Sequence, residues 1–140
     1  MKYKPQKIKD LLKDRKLKAT PTRVEVLSII SGFESAVPHS EIQKSLQDYD
    51  RITLYRTLNA LMDKGIIHKA LSDENETFYA LCTNQCTTIN HNHKHIHFKC
   101  ISCQEVTCLQ AEHPVNISVP DYIIHTIEIA ATGLCQKCIR

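Results

Sequence analysis

Arg51-Ile52-Thr53-Leu54-Tyr55-Arg56-Thr57-Leu58-Asn59-Ala60-Leu61-Met62-Asp63-Lys64-Gly65 is the stretch on which the fold turns. Leu54, Leu58, Leu61 and Met62 recur at the three- and four-residue spacing that gathers side chains on one face of an α-helix. Thr53, Arg56, Thr57 and Asn59 are polar, with Tyr55 beside them. Lys64 suits the last turn and Gly65 a left-handed cap, so the spacing predicts a helix over 53–64 that stops there. Residues 66–70 (IIHKA) then read as a strand, Asp73-Glu74-Asn75-Glu76 as a turn, and residues 77–82 (TFYALC) as a second strand.

Upstream, Ile8, Leu11, Leu12 and Leu17 lie at roughly helical spacing among lysines over residues 5–17. In Ala19-Thr20-Pro21-Thr22-Arg23, Thr20 can cap a helix that opens on Pro21, where the missing N–H costs nothing. Val24, Leu27, Ile29 and Ile30 are its apolar positions, and Gly32 ends it. A third helix starts near Pro38-His39-Ser40 and buries Ile42 and Leu46. Three or four helices followed by a hairpin make a winged helix-turn-helix, with residues 66–82 as the wing. A helix exposing Tyr, Arg, Thr and Asn can hydrogen-bond phosphates and base edges in a major groove. Thr53, Tyr55 and Arg56 are therefore candidate DNA contacts. Lys16, Lys18 and Arg23 in the basic segment before them are candidate phosphate contacts, which make binding salt-dependent. The plainer alternative is a helical bundle with a solvated charged face.

The chain has 140 residues, room for one ordinary domain or two very small ones, and its 42% hydrophobic and 24% charged residues are a globular composition. Its apolar runs are far too short to span a bilayer. The first residues, MKYKPQKIKDLLKDRK, show neither an apolar block nor a cleavage site, so a cytoplasmic protein is expected. Charge divides the chain. Residues 1–80 carry 14 Lys+Arg against 11 Asp+Glu, and residues 81–140 carry 4 of each. All seven cysteines lie from Cys82 onward and six of the eight histidines from His91 onward. A basic first half and a second half rich in soft metal ligands imply two modules.

Cys100-Ile101-Ser102-Cys103 and Cys135-Gln136-Lys137-Cys138 are two C-x-x-C pairs, each able to present two thiolates from one turn, so together they close a four-cysteine structural zinc site. Disulfides are disfavoured in a reducing compartment, and a thioredoxin-like redox pair would need a single C-x-x-C beside a βαβ unit. The 31 residues between the knuckles require a small subdomain to fold there. In His91-Asn92-His93-Lys94-His95-Ile96-His97, period two on a strand sets the imidazoles on one face, and His95 with His97 can reach one metal ion. For His91 and His93 a solvated linker is the alternative.

Four fragments in this order resemble the ferric uptake regulator (Fur) family of metal-responsive repressors. They are Thr20-Pro21-Thr22-Arg23, Thr53-Leu54-Tyr55-Arg56-Thr57-Leu58, the run from His95-Ile96-His97 to Cys100-Ile101-Ser102-Cys103, and Gly133-Leu134-Cys135-Gln136-Lys137-Cys138. The resemblance covers nearly the whole chain. It implies an α+β protein: a winged-helix DNA-binding domain over 1–82, a hinge over 83–92, and a small, mostly β, zinc-stabilised dimerisation domain over 93–140. It implies a homodimeric repressor of metal-homeostasis genes that binds double-stranded DNA at palindromic operators when a regulatory metal is loaded. The regulatory ligand set it implies is His68, Cys82, His95 and His97, closest to the zinc-uptake regulators. A thiolate favours Zn²⁺ over iron. Iron and peroxide sensors use a histidine before the third helix and a carboxylate in the second wing strand, places held here by Ala36 and Ala80; such a sensor is the alternative reading. Cys108 stands where many relatives have a carboxylate ligand, either as a substitute ligand or as a small buried residue. Two prolines in residues 111–120 argue against the family's long helix there, so the dimer is expected to rest on strands near 95–99, 105–109 and 122–130. Roles for Cys86, His113 and His125 stay open.

Other functions fit less well. His39-Ser40-Glu41 is an H-x-E, but it lies far from the thiols, and neither C-x-x-C follows a proline, so the zinc-deaminase signature is incomplete. No H-E-x-x-H, phosphate loop or G-x-S-x-G elbow occurs. No small-molecule substrate is implied, and a metal-storage protein would not need the Tyr-Arg helix.

Overall fold

The computed structural model describes residues 2–72, 76–81, 95–110, 117–125 and 127–140. Four helices, α1 (Pro5–Asp14), α2 (Pro21–Ser31), α3 (His39–Ser45) and α4 (Arg51–Asp63), pack with a sheet of β1 (Val37–Pro38), β2 (Ile67–Ser72) and β3 (Thr77–Leu81). The sheet order is β1-β3-β2, all antiparallel, which makes β2 and β3 the wing. A second sheet holds β4 (His95–Cys100), β5 (Val106–Gln110) and β6 (Ala130–Gly133) in the order β5-β4-β6. The architecture is α+β, a winged helix followed by a cysteine-rich β module.

The helical core is built from the expected apolar positions. Ile8, Leu12, Leu27, Ile42, Leu54, Leu58 and Leu61 are fully buried, and Leu46 joins them. Capping is local: the Thr20 side chain accepts from the Arg23 N–H at 3.3 Å with Pro21 at the first helical position. Helix α1 stops at Asp14, before the Leu17 its spacing suggests. Lys16 adopts a left-handed φ of 60°, its N–H bonds the Lys13 carbonyl, and the Leu17 N–H reaches back to the Leu12 carbonyl at 2.8 Å. That pair of bonds is a Schellman cap, which turns the chain out of the helix while Leu17 still packs on the core. Gly65 (φ 69°) and Ile66 close α4 in the same way.

Two expectations are corrected. Thr57 is not on the open face of α4: it is buried, and its hydroxyl donates to the Thr53 carbonyl at 2.8 Å. The third strand of the second sheet is not 122–130 but β6, which runs parallel to β4 with His97 opposite Ala130 and Cys100 opposite Gly133. Asp121 turns the chain at φ 67°, and the described residues 122–125 and 127–129 form no strand; only the Ile129 carbonyl, next to β6, reaches β4, accepting from the His97 N–H at 3.0 Å. The segment 111–116, part of the stretch whose prolines argue against a helix, lies outside the described residues, as do Cys82, Cys86, His91, His93 and His113. Among the described residues no helix is long and apolar enough to cross a membrane.

Candidate metal centres and nucleic-acid interface

The parallel β4–β6 pairing explains how two cysteine knuckles so far apart in sequence meet. Cys100 ends β4, the Ile101 N–H bonds the Gly133 carbonyl at 2.8 Å, and Cys135 follows two residues after Gly133. The ligand atoms of Cys100, Cys103, Cys135 and Cys138 all lie within 4.8 Å of one another, with Cys103 Sγ and Cys135 Sγ 3.8 Å apart. Four thiolates about 2.3 Å from a tetrahedral zinc have edges of about 3.8 Å, so the cluster fits such an ion. The backbone N–H groups of Cys103 and Cys135 point at Cys100 Sγ, at 3.5 and 3.4 Å. They pull the Cys100 thiol down to about 6, toward the thiolate a metal takes. The five described cysteines are all free thiols, so no disulfide joins them.

A second cluster forms where the second sheet meets the wing. His68 on β2 is buried, and its ligand atom lies within 4.8 Å of those of His97 on β4 and Cys108 on β5. His97 and Cys108 face each other across the β4–β5 ladder. The His68 and His97 rings stack with centroids 5.4 Å apart, and Cys108 Sγ lies 3.5 Å from His68 Nε2. A sulfur and an imidazole nitrogen on one tetrahedral zinc are also about 3.5 Å apart. Cys108 keeps an exposed edge while its thiol faces the wing, and this desolvation pushes the thiol up to about 11. Two imidazoles and a thiol are soft and borderline donors, suited to Zn²⁺. Of the four residues assigned to this site by resemblance, His68 and His97 meet. His95 lies on β4 opposite Gln110, and Cys82 falls outside the described residues. Cys108 joins the cluster and is exposed, not a small buried residue. Its register opposite His97 is the signal that marks it, and that register needs both strands placed.

The two sheets are seated on each other beside this cluster. Val106 of β5 is fully buried among Ala36, Ala70 and Phe78, and its carbonyl accepts from the Ala36 N–H at 2.8 Å.

Helix α4 exposes Arg51, Ile52, Tyr55 and Arg56. Thr53 is half-buried at the helix start, its N–H donating to the Asp50 carboxylate at 2.6 Å. Asp50 is the cap missed in the sequence, and it lengthens the recognition helix to Arg51. The Asp50–Thr53 contacts hold that carboxyl below its ordinary value. Lys16 and Lys18 are exposed. Arg23 donates to the Lys18 carbonyl at 2.9 Å and so braces the loop before α2.

A winged helix joined to a cysteine-rich sheet, with two clusters of soft metal donors, is the build of a metal-responsive transcription regulator. A model of the ferric uptake regulator family matches residues 14–118. The ferric uptake regulation protein of Staphylococcus epidermidis (strain ATCC 12228 / FDA PCI 1200) is 30% identical over 136 residues, covering 93% of this chain and 92% of that protein. Among solved structures, a zinc uptake regulator complexed with zinc and DNA superposes with a TM-score of 0.67 at 23% identity, covering 96% of this chain and 92% of that one. The Vibrio cholerae ferric uptake regulator superposes with a TM-score of 0.59 at 23% identity, covering 91% and 98%; both share the fold. The chain belongs to the ferric uptake regulator family of DNA-binding, metal-responsive transcription regulators, and it is not an enzyme.

Proposed function

We propose that this chain is a zinc-responsive repressor that binds a palindromic operator as a homodimer and controls metal-homeostasis genes. The carrying observation is the meeting of His68 from the wing with His97 and Cys108 from the second sheet. Zinc at that point supplies a fixed link between the two modules, and Cys100, Cys103, Cys135 and Cys138 hold a separate structural zinc. Cys82, next in the chain after the last residue of β3, and His95 complete the regulatory set. His68 sits on the strand after α4, so fixing it against His97 and Cys108 fixes the angle at which α4 is presented. Tyr55 and Arg56 then read bases while Thr53, Lys16, Lys18 and Arg23 meet phosphate. Ile117, Val119, Tyr122, Ile123, Ile124 and Ile127 are exposed apolar residues, with Tyr122 at 75% and Ile123 at 86%. A second copy covers such a patch and gives the twofold symmetry that a palindromic site mirrors.

The test is a duplex titration of chelator-treated protein with Zn²⁺, Fe²⁺ or Mn²⁺ added back, alongside metal analysis. Zinc is expected to raise operator affinity about 5- to 150-fold, the usual allosteric range. Cys82→Ser and Cys108→Ser should keep the structural zinc and the dimer yet lose the zinc response. The similarity to ferric uptake regulation proteins favours iron sensing as a second reading, and a response to Fe²⁺ alone would establish it in place of zinc.

A further inference from the structure

The recognition helix carries a residue that neither the ligand sets nor the Tyr-Arg pair accounts for. Helix α4 turns about 100° per residue, and its buried side is Leu54, Thr57, Leu58 and Leu61. The position diametrically opposite the centre of that stripe is Ile52. It is 63% exposed, with Tyr55, 66% exposed, one turn along the same face, and the exposed Arg51 and Arg56 on either side. A β-branched aliphatic side chain therefore stands at the apex of a face that is otherwise polar and basic. It also stands in the first turn, and the N-terminal residues of a recognition helix are those that meet base edges. The guanidinium groups beside it match phosphates and base edges, so the surface that closes over Ile52 is the groove of a duplex. In the major groove the one apolar group on a base edge is the C5-methyl of thymine.

We propose that Ile52 is a specificity-determining residue that packs on the C5-methyl group of one thymine in each half-site. This rests on the operator-binding reading above. Arg56 and Tyr55 supply hydrogen bonds at neighbouring positions, and Ile52 adds a requirement for a methyl group that no hydrogen bond can impose.

The experiment uses the full-length, zinc-loaded protein. Duplexes are selected from a randomised pool, and the preferred palindrome is remade with each symmetric pair of thymines replaced by uracil. This removes only the methyl groups and keeps every pairing and groove hydrogen-bonding group. Wild-type protein is expected to lose about fourfold affinity per half-site at one position, the equivalent of one unburied methyl group. Ile52→Ala should lose a similar factor on the thymine duplex and show no further loss on the uracil duplex. Ile52→Val, which keeps a branched aliphatic tip, should retain the thymine preference. Unchanged metal content and circular dichroism of both variants establish that they are folded. The inference is overturned if wild type is indifferent to every thymine-to-uracil exchange, if Ile52→Ala discriminates as wild type does, or if Tyr55→Phe alone abolishes the discrimination. If the zinc-loaded wild type selects no duplex at all, the operator reading fails and takes this inference with it, an outcome distinct from the other three.

Discussion

Cys103 and Arg56 show how differently single residues weigh in this molecule. Cys103 sits in an exposed turn, yet its sulfur clusters not only with Cys100 of the same knuckle but with Cys135 and Cys138 from a distant stretch of chain. Cys103→Ser should abolish metal binding at that cluster and unfold or monomerise the second module, because metal-site free energy of this kind is folding free energy. Retention of stoichiometric zinc and of the dimer by that variant would refute the site. Arg56 is exposed on α4 and bears no comparable structural burden. Arg56→Ala should leave thermal stability unchanged and cost about 1–3 kcal/mol in operator affinity, with blurred specificity at one base position. Lys18→Ala, by contrast, should weaken binding to all sequences alike and flatten the salt dependence by about one ion; competition titrations at several salt concentrations separate the two behaviours. Arg56, Tyr55 and the four knuckle cysteines were legible in the sequence, since exposure on an amphipathic helix and C-x-x-C spacing are local properties. Cys108 was legible only as one of two alternatives, a substitute ligand beside His68 or a small buried residue, and Ile52 as the apex of the recognition face was not legible. The first depends on a register between strands, and the second is an apolar residue in a pattern where apolar residues read as core.

Elements obey the same division between local and distant causes. Helix boundaries follow from caps: Thr20 and Gly65 act as their residue types suggest, and Asp50 starts the recognition helix at Arg51, two residues before the Thr53 that its polar face suggests. The contacts of Asp50 with Thr53 lower its pKa in the folded state. The stabilisation it gives is therefore present at neutral pH and is lost as pH falls through that lowered value. Asp50→Ala should lower the melting temperature at neutral pH, with a smaller difference in acid, while Asp50→Asn keeps most of the cap at both; thermal melts of the three proteins at the two pH values check this. Inside the same helix, Leu58 is fully buried in the core shared with α1 and α2. Leu58→Ala should destabilise the helical module by about 2–5 kcal/mol in denaturant unfolding while the knuckle zinc stays bound. The strand expected over 122–130 failed for the opposite reason. Its alternation of apolar residues is real, but a strand requires an edge to pair with, and a single chain leaves Tyr122 and Ile123 exposed.

For the molecule as a whole, what matters is how the second sheet rests on the wing, since that seat lies beside His68, His97 and Cys108 and holds the two modules together with them. Val106 is its centre. The side chain is fully buried against Ala36, Ala70 and Phe78, residues of the loop before β1, of β2 and of β3, and the main-chain bond from Ala36 to Val106 pins the same spot. Cys108 lies two residues further along β5, and period two on a strand puts both residues on one face. The apolar contact and the metal cluster are thus neighbours in a single interface. Val106 sets the position of β5, and that position brings the Cys108 thiol to His68. Val106→Ala removes two methyl groups from a packed site, a loss of about 2 kcal/mol from transfer alone. The loosened seat must then be ordered at the expense of zinc binding, so both zinc affinity at this cluster and its coupling to DNA should fall together. The four-cysteine site adjoins Val106, which pairs with Lys99, and the Cys100 N–H bonds the Glu105 carbonyl at 3.0 Å; its zinc is expected to stay bound, and metal analysis of the variant checks this. Zinc titrations read against operator binding, in wild type and Val106→Ala, measure the coupling directly. A variant that keeps the full zinc-dependent gain in DNA affinity would show that the metal cluster alone joins the two modules and that the Val106 contact is only packing.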